Sequence, residues 1–465
     1  MAKPGTSACP LRVAIIGAGP AGFYAAEHLF KQDRIIVEID MFDRLPTPFG
    51  LVRNGVAPDH QRIKAVTRIF DRTATNPRFR FFGQVGLGRD ITRAQLRDHY
   101  HQIIYTTGAP SDRNLGIPGE NLKGSYSATD FVAWYNGHPD FRDYEFDLSQ
   151  KRAAVVGLGN VAVDVIRILS RTPEELAQTD IADDALEQLR QSRVREVYML
   201  GRRGPAQAAF TNPEIKELGR LDDVHVTIPP EEATPDSLSQ QALEREDDRV
   251  GLKRIEILKE IASRQRAGQS RTIHFRFLVS PVEILGSSGR VRAMRLVKNE
   301  LYATDMGTLR PRATDRLEEL KVGLVFRSIG YKGLPLSDIP FNPKWGVILN
   351  EKGRVVEPES RKPVVGEYTA GWIKRGPNGV IGTNKPDALE TVSCMLEDLE
   401  AGLTLKPSHQ GSSDTETLIR RNRPDYFSYA DWQRIDEIER EKGLHSGRPR
   451  VKFATVEEMA AALGR

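Results

Sequence analysis

The sequence predicts an α/β protein with two Rossmann-like, three-layer dinucleotide-binding domains, the first of which is discontinuous along the chain. The order strand, glycine-rich turn, helix begins near residue 11 and again near residue 153, roughly 140 residues later. Two such units are typical of proteins that bind two nucleotides, because each turn can hold one pyrophosphate. Clusters of Pro and Gly between the units predict a first domain at 1–110, an inserted domain at 111–330, and a return to the first domain, with a C-terminal extension, at 331–465.

The hydrophobic pattern places the elements of both units. The predicted elements of the first unit are the strands Leu11–Ile16, Ile35–Phe42 and Ile103–Thr107, with a helix at Phe23–Lys31. Those of the second unit are a strand from Ala153, a helix at Val161–Leu169 and a strand at Val194–Leu200, with a polar insertion at 171–193. The remaining predictions are three antiparallel strands, Ile273–Leu278, Val282–Leu285 and Val291–Lys298, followed by strands at Val322–Ile329 and Tyr368–Gly371.

Cysteine usage excludes several classes of redox protein. The 465 residues include only two cysteines, Cys9 and Cys394, so the chain cannot build a four-thiolate iron–sulfur cluster or a four-cysteine zinc site. Their separation excludes a CxxC pair and a disulfide-rich secreted scaffold. Low cysteine content is typical of a reducing cytoplasm, and no apolar run is long enough to predict a membrane span. The net charge of +4 is too small to indicate nucleic-acid binding.

The first glycine turn fits the pattern GxGxxG between a strand and a helix. Gly17 allows the tight turn, Gly19 lets the backbone approach a pyrophosphate, and Gly22 lets the helix and the strand pack closely. Asp43 follows Gly22 by 21 residues, at the end of the next strand, where a carboxylate can accept hydrogen bonds from a ribose. The alternative is a plain turn followed by an unrelated surface acid.

The second glycine turn has Gly157, Gly159 and, in the third position, Ala162, which is an allowed variant. No carboxylate ends the following strand, and Arg202 and Arg203 stand there instead. Two guanidinium groups suit a ribose 2′-phosphate, so the second turn is predicted to bind NADP rather than NAD. The separation from Gly159 to Arg202 is 43 residues, which the polar insertion explains. The alternative is that both arginines belong to a solvated turn.

Three long segments carry a resemblance to a known family. They are Pro48–His60, Arg202–Thr211 and Gly371–Gly382, and both glycine turns and Ile117–Glu120 agree with them. In these segments the sequence resembles the adrenodoxin reductase family of ferredoxin–NADP+ reductases, including its bacterial members. The likeness extends from about residue 11 to beyond residue 390.

The resemblance implies that FAD binds at the first turn and NADP at the second. It implies FAD contacts at Ala21, Asp43, Leu51, Val85, Trp372, Gly379, Val380 and Ile381. It implies NADP contacts at Arg113, Asn160, Val161, Ala162, Val163, Arg202, Arg203 and Glu214, with Gly379 touching both. The family usually has Glu where this chain has Asp43, so the carboxylate that would meet the ribose stands on a shorter side chain.

The resemblance also implies that His60 and Glu214 form a pair that handles protons near the flavin–nicotinamide junction. The residues by themselves leave structural alternatives open. A single histidine is more often structural than catalytic. Glu214 follows Asn212 and Pro213, which suit the N-cap and first position of a helix, so its role can be in helix capping. Trp372 can equally be a packing residue.

Together these features predict an enzyme in which NADPH reduces a flavin, which then gives single electrons to a ferredoxin. A redox protein without redox thiols or clusters of its own has to pass electrons directly from the flavin to a partner. A rival enzyme is a flavin-dependent NADPH oxidase or monooxygenase, which passes electrons to oxygen. A rival of another class is a non-catalytic nucleotide-binding protein.

A basic segment is the predicted docking face for an acidic ferredoxin, and it includes Lys253 and Arg254. Its cations are Arg249, Lys253, Arg254, Lys259, Arg264, Arg266 and Arg271, and its acidic residues are Glu256 and Glu260. Such a face attracts an acidic partner and weakens with salt. The alternative is an ordinary solvated helix face.

Overall fold

The computed structural model describes residues 3–264, 268–409 and 411–465, so Arg266 of the basic segment lies outside the described residues. The strands in chain order are β1 Leu11–Ile16, β2 Val37–Asp43, β3 Phe79–Gly83, β4 Gln102–Tyr105, β5 Ser111–Asp112, β6 Ser125–Ser127, β7 Arg152–Val156, β8 Glu196–Leu200, β9 Val224–Thr227, β10 Arg271–Arg276, β11 Val279–Ser287, β12 Arg290–Ala303, β13 Leu309–Leu320, β14 Leu324–Arg327, β15 Tyr331–Lys332, β16 Phe341–Asn342, β17 Val347–Ile348, β18 Asn350–Glu351, β19 Arg354–Val356 and β20 Pro363–Thr369.

The α-helices in chain order are α1 Pro20–Phe30, α2 Leu51–Asn54, α3 Gln61–Lys64, α4 Thr67–Ala74, α5 Arg93–His99, α6 Ala128–Tyr135, α7 Asn160–Ser170, α8 Pro173–Leu176, α9 Asp183–Arg190, α10 Asn212–Leu218, α11 Pro230–Ala233, α12 Ser237–Arg245, α13 Arg249–Ser263, α14 Trp372–Arg375, α15 Asn384–Glu400, α16 Ser412–Asn422, α17 Tyr429–His445 and α18 Val456–Ala462. Short 3₁₀ turns lie at Pro139–Phe141, Pro205–Gln207 and Ile381–Thr383. Among the helices described here, none is long and apolar enough to span a membrane.

A seven-stranded sheet contains the first glycine turn. Its order is β18-β19-β20-β4-β1-β2-β3, and the five strands from β20 to β3 are parallel. Every residue of β1 is buried because helices cover both faces of the sheet. Side chains of a strand alternate between the two faces. Val13 and Ile15 therefore enter the core beneath α1, α15 and α17, whereas Ala14 and Ile16 enter the core beneath α5 and α16.

A six-stranded parallel sheet contains the second glycine turn. Its order is β6-β14-β7-β8-β10-β9. Helices α6, α7, α10 and α13 cover one face, where Val155 and Phe326 are fully buried. The antiparallel sheet β11-β12-β13 covers the other face, where Val156 and Val325 pack against Met294. The fold is thus α/β with two Rossmann-type sheets, as predicted.

The chain crosses between the two sheets at one small ribbon. Strands β5 and β15 pair antiparallel, with Tyr331 opposite Asp112 and Lys332 opposite Ser111. Strands β1 to β4 precede this ribbon and β18 to β20 follow it, and all of these belong to the seven-stranded sheet. Domain boundaries at residues 110 and 330 stay a prediction, which this grouping of strands supports.

The structure differs from the prediction at two strands. The segment beginning at Ile273 was expected in the antiparallel sheet, but it forms β10, which pairs parallel with β8 and β9. Ile273 and Phe275 are fully buried in the main core, and this burial decides the placement. The long strand β13 was not predicted, because its side chains are mostly exposed and charged and leave no apolar alternation to detect. The polar insertion at 171–193 contains α8 and α9.

Candidate functional site

The first glycine turn has the geometry of a phosphate cradle. Gly17 has a φ of +108°, and a Cβ there would lie 2.7 Å from the carbonyl oxygen of Thr106. A Cβ at Gly22 would lie 2.4 Å from the carbonyl oxygen of Gly17, so α1 packs closely against the turn. A Cβ at Gly19 would meet no atom within 4 Å. The open space therefore lies at the glycine predicted to face a pyrophosphate, at the amino end of α1.

Asp43 stands at the end of β2 beside this turn. Its Oδ2 accepts a hydrogen bond from the Ala18 amide at 2.7 Å, and its Oδ1 accepts one from the Leu45 amide at 2.9 Å. Burial raises the pKa of Asp43, and the two amides act in the opposite direction. Asp43 thus ties β2 to the glycine turn at the predicted ribose position, and ribose binding there stays a prediction.

Two other residues predicted to contact FAD lie at the same edge of the seven-stranded sheet. The Val85 amide donates a hydrogen bond to the Asp43 carbonyl oxygen at 2.8 Å, directly after β3. Leu51 is the first residue of α2, which begins after Gly50, and a Cβ at Gly50 would lie 3.0 Å from Cα of Gly19. The start of α2 is therefore next to the open position of the first turn.

The segment that follows β20 also returns to the first turn. Gly371 has a φ of +79°, and a Cβ there would lie 2.6 Å from Cβ of Ala21. Trp372 donates from Nε1 to the Asn378 carbonyl oxygen at 3.1 Å, and its ring lies 5.3 Å from that of Tyr331. Trp372 thus has a packing role whether or not it contacts FAD. Gly379, Val380 and Ile381 lie in the loop between α14 and α15, where Val380 is 56% exposed.

The second glycine turn repeats this geometry. Gly157 has a φ of +142°, and a Cβ there would lie 2.1 Å from the Ser328 carbonyl oxygen. A Cβ at Gly159 would meet no atom within 4 Å, at the N-cap of α7. The side-chain oxygen of Asn160 accepts a hydrogen bond from the Thr211 amide at 2.8 Å. Asn160 therefore connects the turn to the residues that precede α10.

The next three predicted NADP contacts belong to the first turn of α7. Ala162 and Val163 are fully buried in the core of the six-stranded sheet, and Val161 packs against that core. Their side chains consequently point away from the open space at Gly159. The groups of these three residues that can serve an anionic ligand are therefore their backbone amides.

Arg202 and Arg203 stand beside the second turn. Strand β8 lies next to β7 in the sheet, and a Cβ at Gly201 would lie 2.2 Å from Cδ1 of Leu158 in the turn. Arg202 is exposed and Arg203 is partly buried. Within residues 3–264, 268–409 and 411–465, neither guanidinium has a carboxylate within 4.0 Å. Burial, together with the charge of Arg202, lowers the pKa of Arg203, so an anion at this point relieves a repulsion.

Arg113 lies at the ribbon that crosses between the sheets. Its amide donates a hydrogen bond to the Gly330 carbonyl oxygen at 3.1 Å, and a Cβ at Gly330 would lie 3.8 Å from Cδ of Arg113. The residue next to Gly330 is Tyr331, which contacts Trp372. Arg113 is therefore close to a predicted FAD residue, and its contact with NADP stays a prediction.

His60 lies between the two sheets, in the loop before α3. Its Nε2 is 3.0 Å from Oε2 of Glu217 and 3.8 Å from Oε2 of Glu214. The hydrogen-bond partner is thus Glu217, a residue that the sequence prediction did not include. Both acids lie on α10 and are three residues apart, so they share one helix face, and this spacing makes Glu217 a second candidate without choosing between the two.

A buried arginine connects this pair to the rest of the junction. Arg167 of α7 is fully buried and donates to Asp59 at 2.6 Å, to Asp164 at 2.8 Å and to Glu214 at 3.3 Å. Glu214 is therefore held mainly by Arg167. Asp59 belongs to the part of the molecule with the seven-stranded sheet, and Arg167 belongs to the part with the six-stranded sheet. The network therefore joins these two parts.

The network changes the acidity of its members. Burial opposes a charged His60, but the hydrogen bond with Glu217 prevails and raises the pKa of His60. The same hydrogen bond lowers the pKa of Glu217. Burial raises the pKa of Asp164 to about 6 despite its contact with Arg167. A histidine with a raised pKa thus stands in one network with Asp164, a carboxylate whose pKa is also raised.

Two local predictions need correction or refinement. The N-cap of α10 is Thr211, whereas Asn212 is the first helical residue and its side chain donates to the Val250 carbonyl oxygen at 3.1 Å. In the basic segment, the exposed ammonium of Lys253 pairs with Glu256 at 2.6 Å. Arg254 is partly buried and donates to the Ala206 carbonyl oxygen at 2.8 Å. Lys253 and Arg254 therefore do not present two free charges side by side.

Comparisons with known proteins agree with this architecture. A model of the pyridine nucleotide-disulphide oxidoreductase family matches residues 11–200. The NADPH-ferredoxin reductase FprA of Mycobacterium leprae is 45% identical over 96% of this chain and 97% of its own, and the mitochondrial NADPH:adrenodoxin oxidoreductase of Arabidopsis thaliana is 41% identical over 98% and 96%. A solved structure of Mycobacterium tuberculosis FprA in complex with NADPH, 43% identical, matches with a TM-score of 0.92 over 98% of this chain and 100% of that chain. Because this identity extends over nearly the whole length of each relative, the chain belongs to the family of NADPH-ferredoxin reductases that includes FprA and the adrenodoxin oxidoreductases.

Proposed function

We propose that this protein is an FAD-dependent oxidoreductase that takes electrons in pairs from NADPH and delivers them singly to a ferredoxin. The observation that carries the proposal is the pair of open glycine turns. Among the described residues, only the second turn has two arginines beside it that lack a carboxylate partner. Membership in the family of NADPH-ferredoxin reductases supports the same activity.

The residues of both turns fit the two nucleotides. A side chain at Gly19 or Gly159 would fill the space beside a helix amino end, where backbone amides can bind a pyrophosphate. Asp43 would hold the ribose of FAD, and Arg202 and Arg203 would hold the 2′-phosphate that distinguishes NADPH from NADH. When bound, FAD supplies the redox chemistry, since it accepts a hydride and releases electrons one at a time.

The remaining residues position the reactants and move protons. The Nε2 atom of His60 faces Glu217, and the His60 side chain is only 11% exposed, so water is largely excluded there. Arg167 holds Asp59 and Glu214 from opposite sides of the junction. We propose that His60 is the proton donor and acceptor of the site, with Glu217 as its direct partner and Glu214 within 3.8 Å.

Anaerobic reduction by NADPH tests the proposed function. We expect the purified protein to be yellow and its flavin absorbance to be bleached by NADPH far faster than by NADH. A colourless protein, or one that NADPH does not bleach, would support a non-catalytic nucleotide-binding protein instead. Ferredoxin-dependent reduction of cytochrome c should greatly exceed oxygen consumption without ferredoxin, and the reverse result would support an NADPH oxidase or monooxygenase.

Replacing Glu217 with Gln is expected to lower the pKa of His60, because burial then acts without the opposing carboxylate. At present the raised pKa means that the protonated pair stabilises the junction below about pH 6.5 and that this contribution is lost as the pH rises through the pKa of the folded protein. In the variant, the pH-dependent limb of flavin reduction by NADPH should therefore move to lower pH. Stopped-flow absorbance across a pH series measures the shift.

Glu214→Gln is the matched comparison on the same helix. Its carboxylate is 3.8 Å from His60 and bonds Arg167, so its replacement should move the pH limb less than Glu217→Gln does. If Glu214→Gln moves the limb and Glu217→Gln leaves it in place, Glu214 is the functional partner and the assignment of Glu217 is wrong.

We also propose that an acidic ferredoxin docks on the basic face of α13. Lys253 and Lys259 are exposed there. Arg254 is partly buried against Ala206, and its positive charge adds to the potential of this face. Exposed Glu256 pairs with Lys253, and such a surface pair contributes little in water, so a more strongly acidic partner can compete for the lysine.

Charge reversal at Lys253 tests this docking face. In Lys253→Glu, the rate of ferredoxin reduction at low salt should fall several-fold, because each removed cation weakens electrostatic attraction, and the difference should disappear at high salt. Lys406→Glu is the control, since Lys406 is also exposed but lies outside α13. Equal rates and equal salt slopes in the two variants would place the docking site elsewhere.

Both cysteines support a further proposal about location. Cys9 and Cys394 are free thiols, and Cys394 is buried. Free thiols persist in a reducing compartment, so we propose a cytoplasmic location. Neither cysteine lies in the glycine turns or the junction around His60, which agrees with a mechanism that uses no protein thiol.

A further inference from the structure

The C-terminal segment after α17 is anchored to the part of the molecule that contains the seven-stranded sheet. We name residues 447–454 the C-terminal strap. Its Phe453 amide donates to the fully buried carboxylate of Glu439 on α17 at 2.9 Å. Arg53 of α2 donates to both oxygens of the same carboxylate, at 2.8 and 2.5 Å. One end of the strap is thereby fixed to α2 and α17.

The opposite side of the strap contacts the part of the chain that contains the six-stranded sheet. Lys452 donates from Nζ to the carbonyl oxygen of Asn136 at 3.1 Å and to its side-chain oxygen at 3.2 Å. Arg448 donates to the Thr179 carbonyl oxygen at 2.9 Å and also to that of Ile181. The strap therefore joins the two parts of the molecule, in addition to the ribbon, the junction at His60 and the ion pairs Arg44–Asp140 and Lys64–Asp180.

Lys452 is a costly residue to bury, and its surroundings compensate for it. Its side chain is 1% exposed, and burial lowers its pKa. A third acceptor, the Arg53 carbonyl oxygen at 3.2 Å, completes three hydrogen bonds for its three ammonium protons. Asp180 lies 3.7 Å away and also pairs with Lys64 of α3 at 2.6 Å. Removing one partner of such a buried ionic contact leaves an uncompensated charge, so Lys452 holds the segments that bear its acceptors in place.

These contacts lie close to the proposed reaction site. The amide of Asp180 is 3.5 Å from the carbonyl oxygen of Pro58, in the loop that continues to Asp59 and His60. The strap thus contacts both parts of the molecule beside the loop that carries His60, where the network of Arg167 spans them. Hydride transfer is sensitive to the distance between the two bound nucleotides, since a misplacement of about 1 Å can cost roughly 100-fold in rate.

We propose that Lys452 is a positioning residue for hydride transfer, which it serves by fixing the second nucleotide-binding part against the first. This inference rests on the proposed function. It assigns a role to the C-terminal extension, to which the sequence motifs gave none. Lys452 touches neither glycine turn, so its effect is on geometry and not on nucleotide recognition.

The test compares Lys452→Met with Lys406→Met, in which an exposed lysine of the same C-terminal region is changed in the same way. At saturating NADPH, Lys452→Met should reduce the rate of anaerobic flavin reduction at least 10-fold. Its affinity for adenosine 2′,5′-bisphosphate, which needs only the second turn, should stay equal to that of the unchanged protein. Lys406→Met should alter neither quantity. A wild-type rate in Lys452→Met overturns the proposal.

A second variant and a second readout keep the outcome decisive. Arg448→Ala removes the contacts with Thr179 and Ile181 while the anchor at Glu439 remains, and it should slow flavin reduction in the same sense. Hydrogen exchange at 132–138 and 179–183 should be faster in both variants, and unchanged exchange overturns the proposal. Loss of FAD from both variants also overturns it, because the strap would then stabilise only the first part. If NADPH does not reduce the flavin of the unchanged protein, the proposed function is wrong. Hydrogen exchange in the two variants then still shows whether the strap fixes the second part against the first.

Discussion

Replacing Arg202 and Arg203 together with alanine is expected to raise the Michaelis constant for NADPH roughly 1000-fold and to leave that for NADH nearly unchanged. Each hydrogen bond to a charged group contributes about 1.5–3 kcal/mol, so the loss of two costs about 3–6 kcal/mol, or roughly 10²–10⁴ in affinity. NADH has no 2′-phosphate and gains nothing from either guanidinium. Steady-state kinetics with both nucleotides measures the ratio.

Arg193→Ala is the matched control for this pair. Arg193 is also exposed, but it precedes β8, whereas Arg202 and Arg203 follow the same strand at its carboxyl end. Its replacement should leave both Michaelis constants unchanged. If the double variant loses NADPH and NADH equally, the arginines support the fold of the turn and do not recognise a phosphate.

Replacing Gly159 with alanine is expected to abolish most NADPH binding without destabilising the protein. The new methyl group meets no protein atom within 4 Å, so the free energy of unfolding should change by less than about 0.5 kcal/mol. The same methyl group occupies the space that a pyrophosphate needs beside α7, and we expect the affinity for NADPH to fall roughly 100-fold. Fluorescence titration gives the affinity, and chemical denaturation gives the stability.

Gly157→Ala is the contrasting variant in the same turn. Its methyl group would lie 2.1 Å from the Ser328 carbonyl oxygen, at a φ of +142°, so the backbone has to move. Here the free energy of unfolding should fall by about 3 kcal/mol or more. Full NADPH affinity in Gly159→Ala would show that the open space is not the phosphate position. Equal destabilisation of the two variants would contradict the assignment of their different roles.

At the junction around His60, the sequence identified some of the site residues and only the structure identified the others. The sequence identified His60 and Glu214 through the resemblance, and both lie in one network. It did not identify Glu217, which is the direct hydrogen-bond partner at 3.0 Å and is 157 residues away along the chain. A contact over that separation is set by how α10 packs between the sheets, and no local pattern determines which of two acids on one helix face reaches the histidine.

In the basic segment, too, the sequence did not determine which side chains lie on the surface. Counting charges predicted a continuous cationic face, but the direction of each side chain decides what is exposed. Lys253 points to solvent and Arg254 turns under the helix to the Ala206 carbonyl oxygen, although the two are adjacent in sequence. Neighbours on a helix point about 100° apart, so composition alone cannot assign both to one face.

The sequence by itself determined the two glycine turns, the strands and helices around them and the family, because these depend on short segments whose backbone conformation is local. Gly17 and Gly157, which stand first in the two glycine patterns, have positive φ values, as a tight turn requires. Only the tertiary structure decided the parallel pairing of β10, the partner of His60 and the role of the C-terminal extension. Lys452 contacts Asn136, which is 316 residues away along the chain. Such a contact forms only when folding buries distant segments together, because a buried charge is stable only where polar partners surround it.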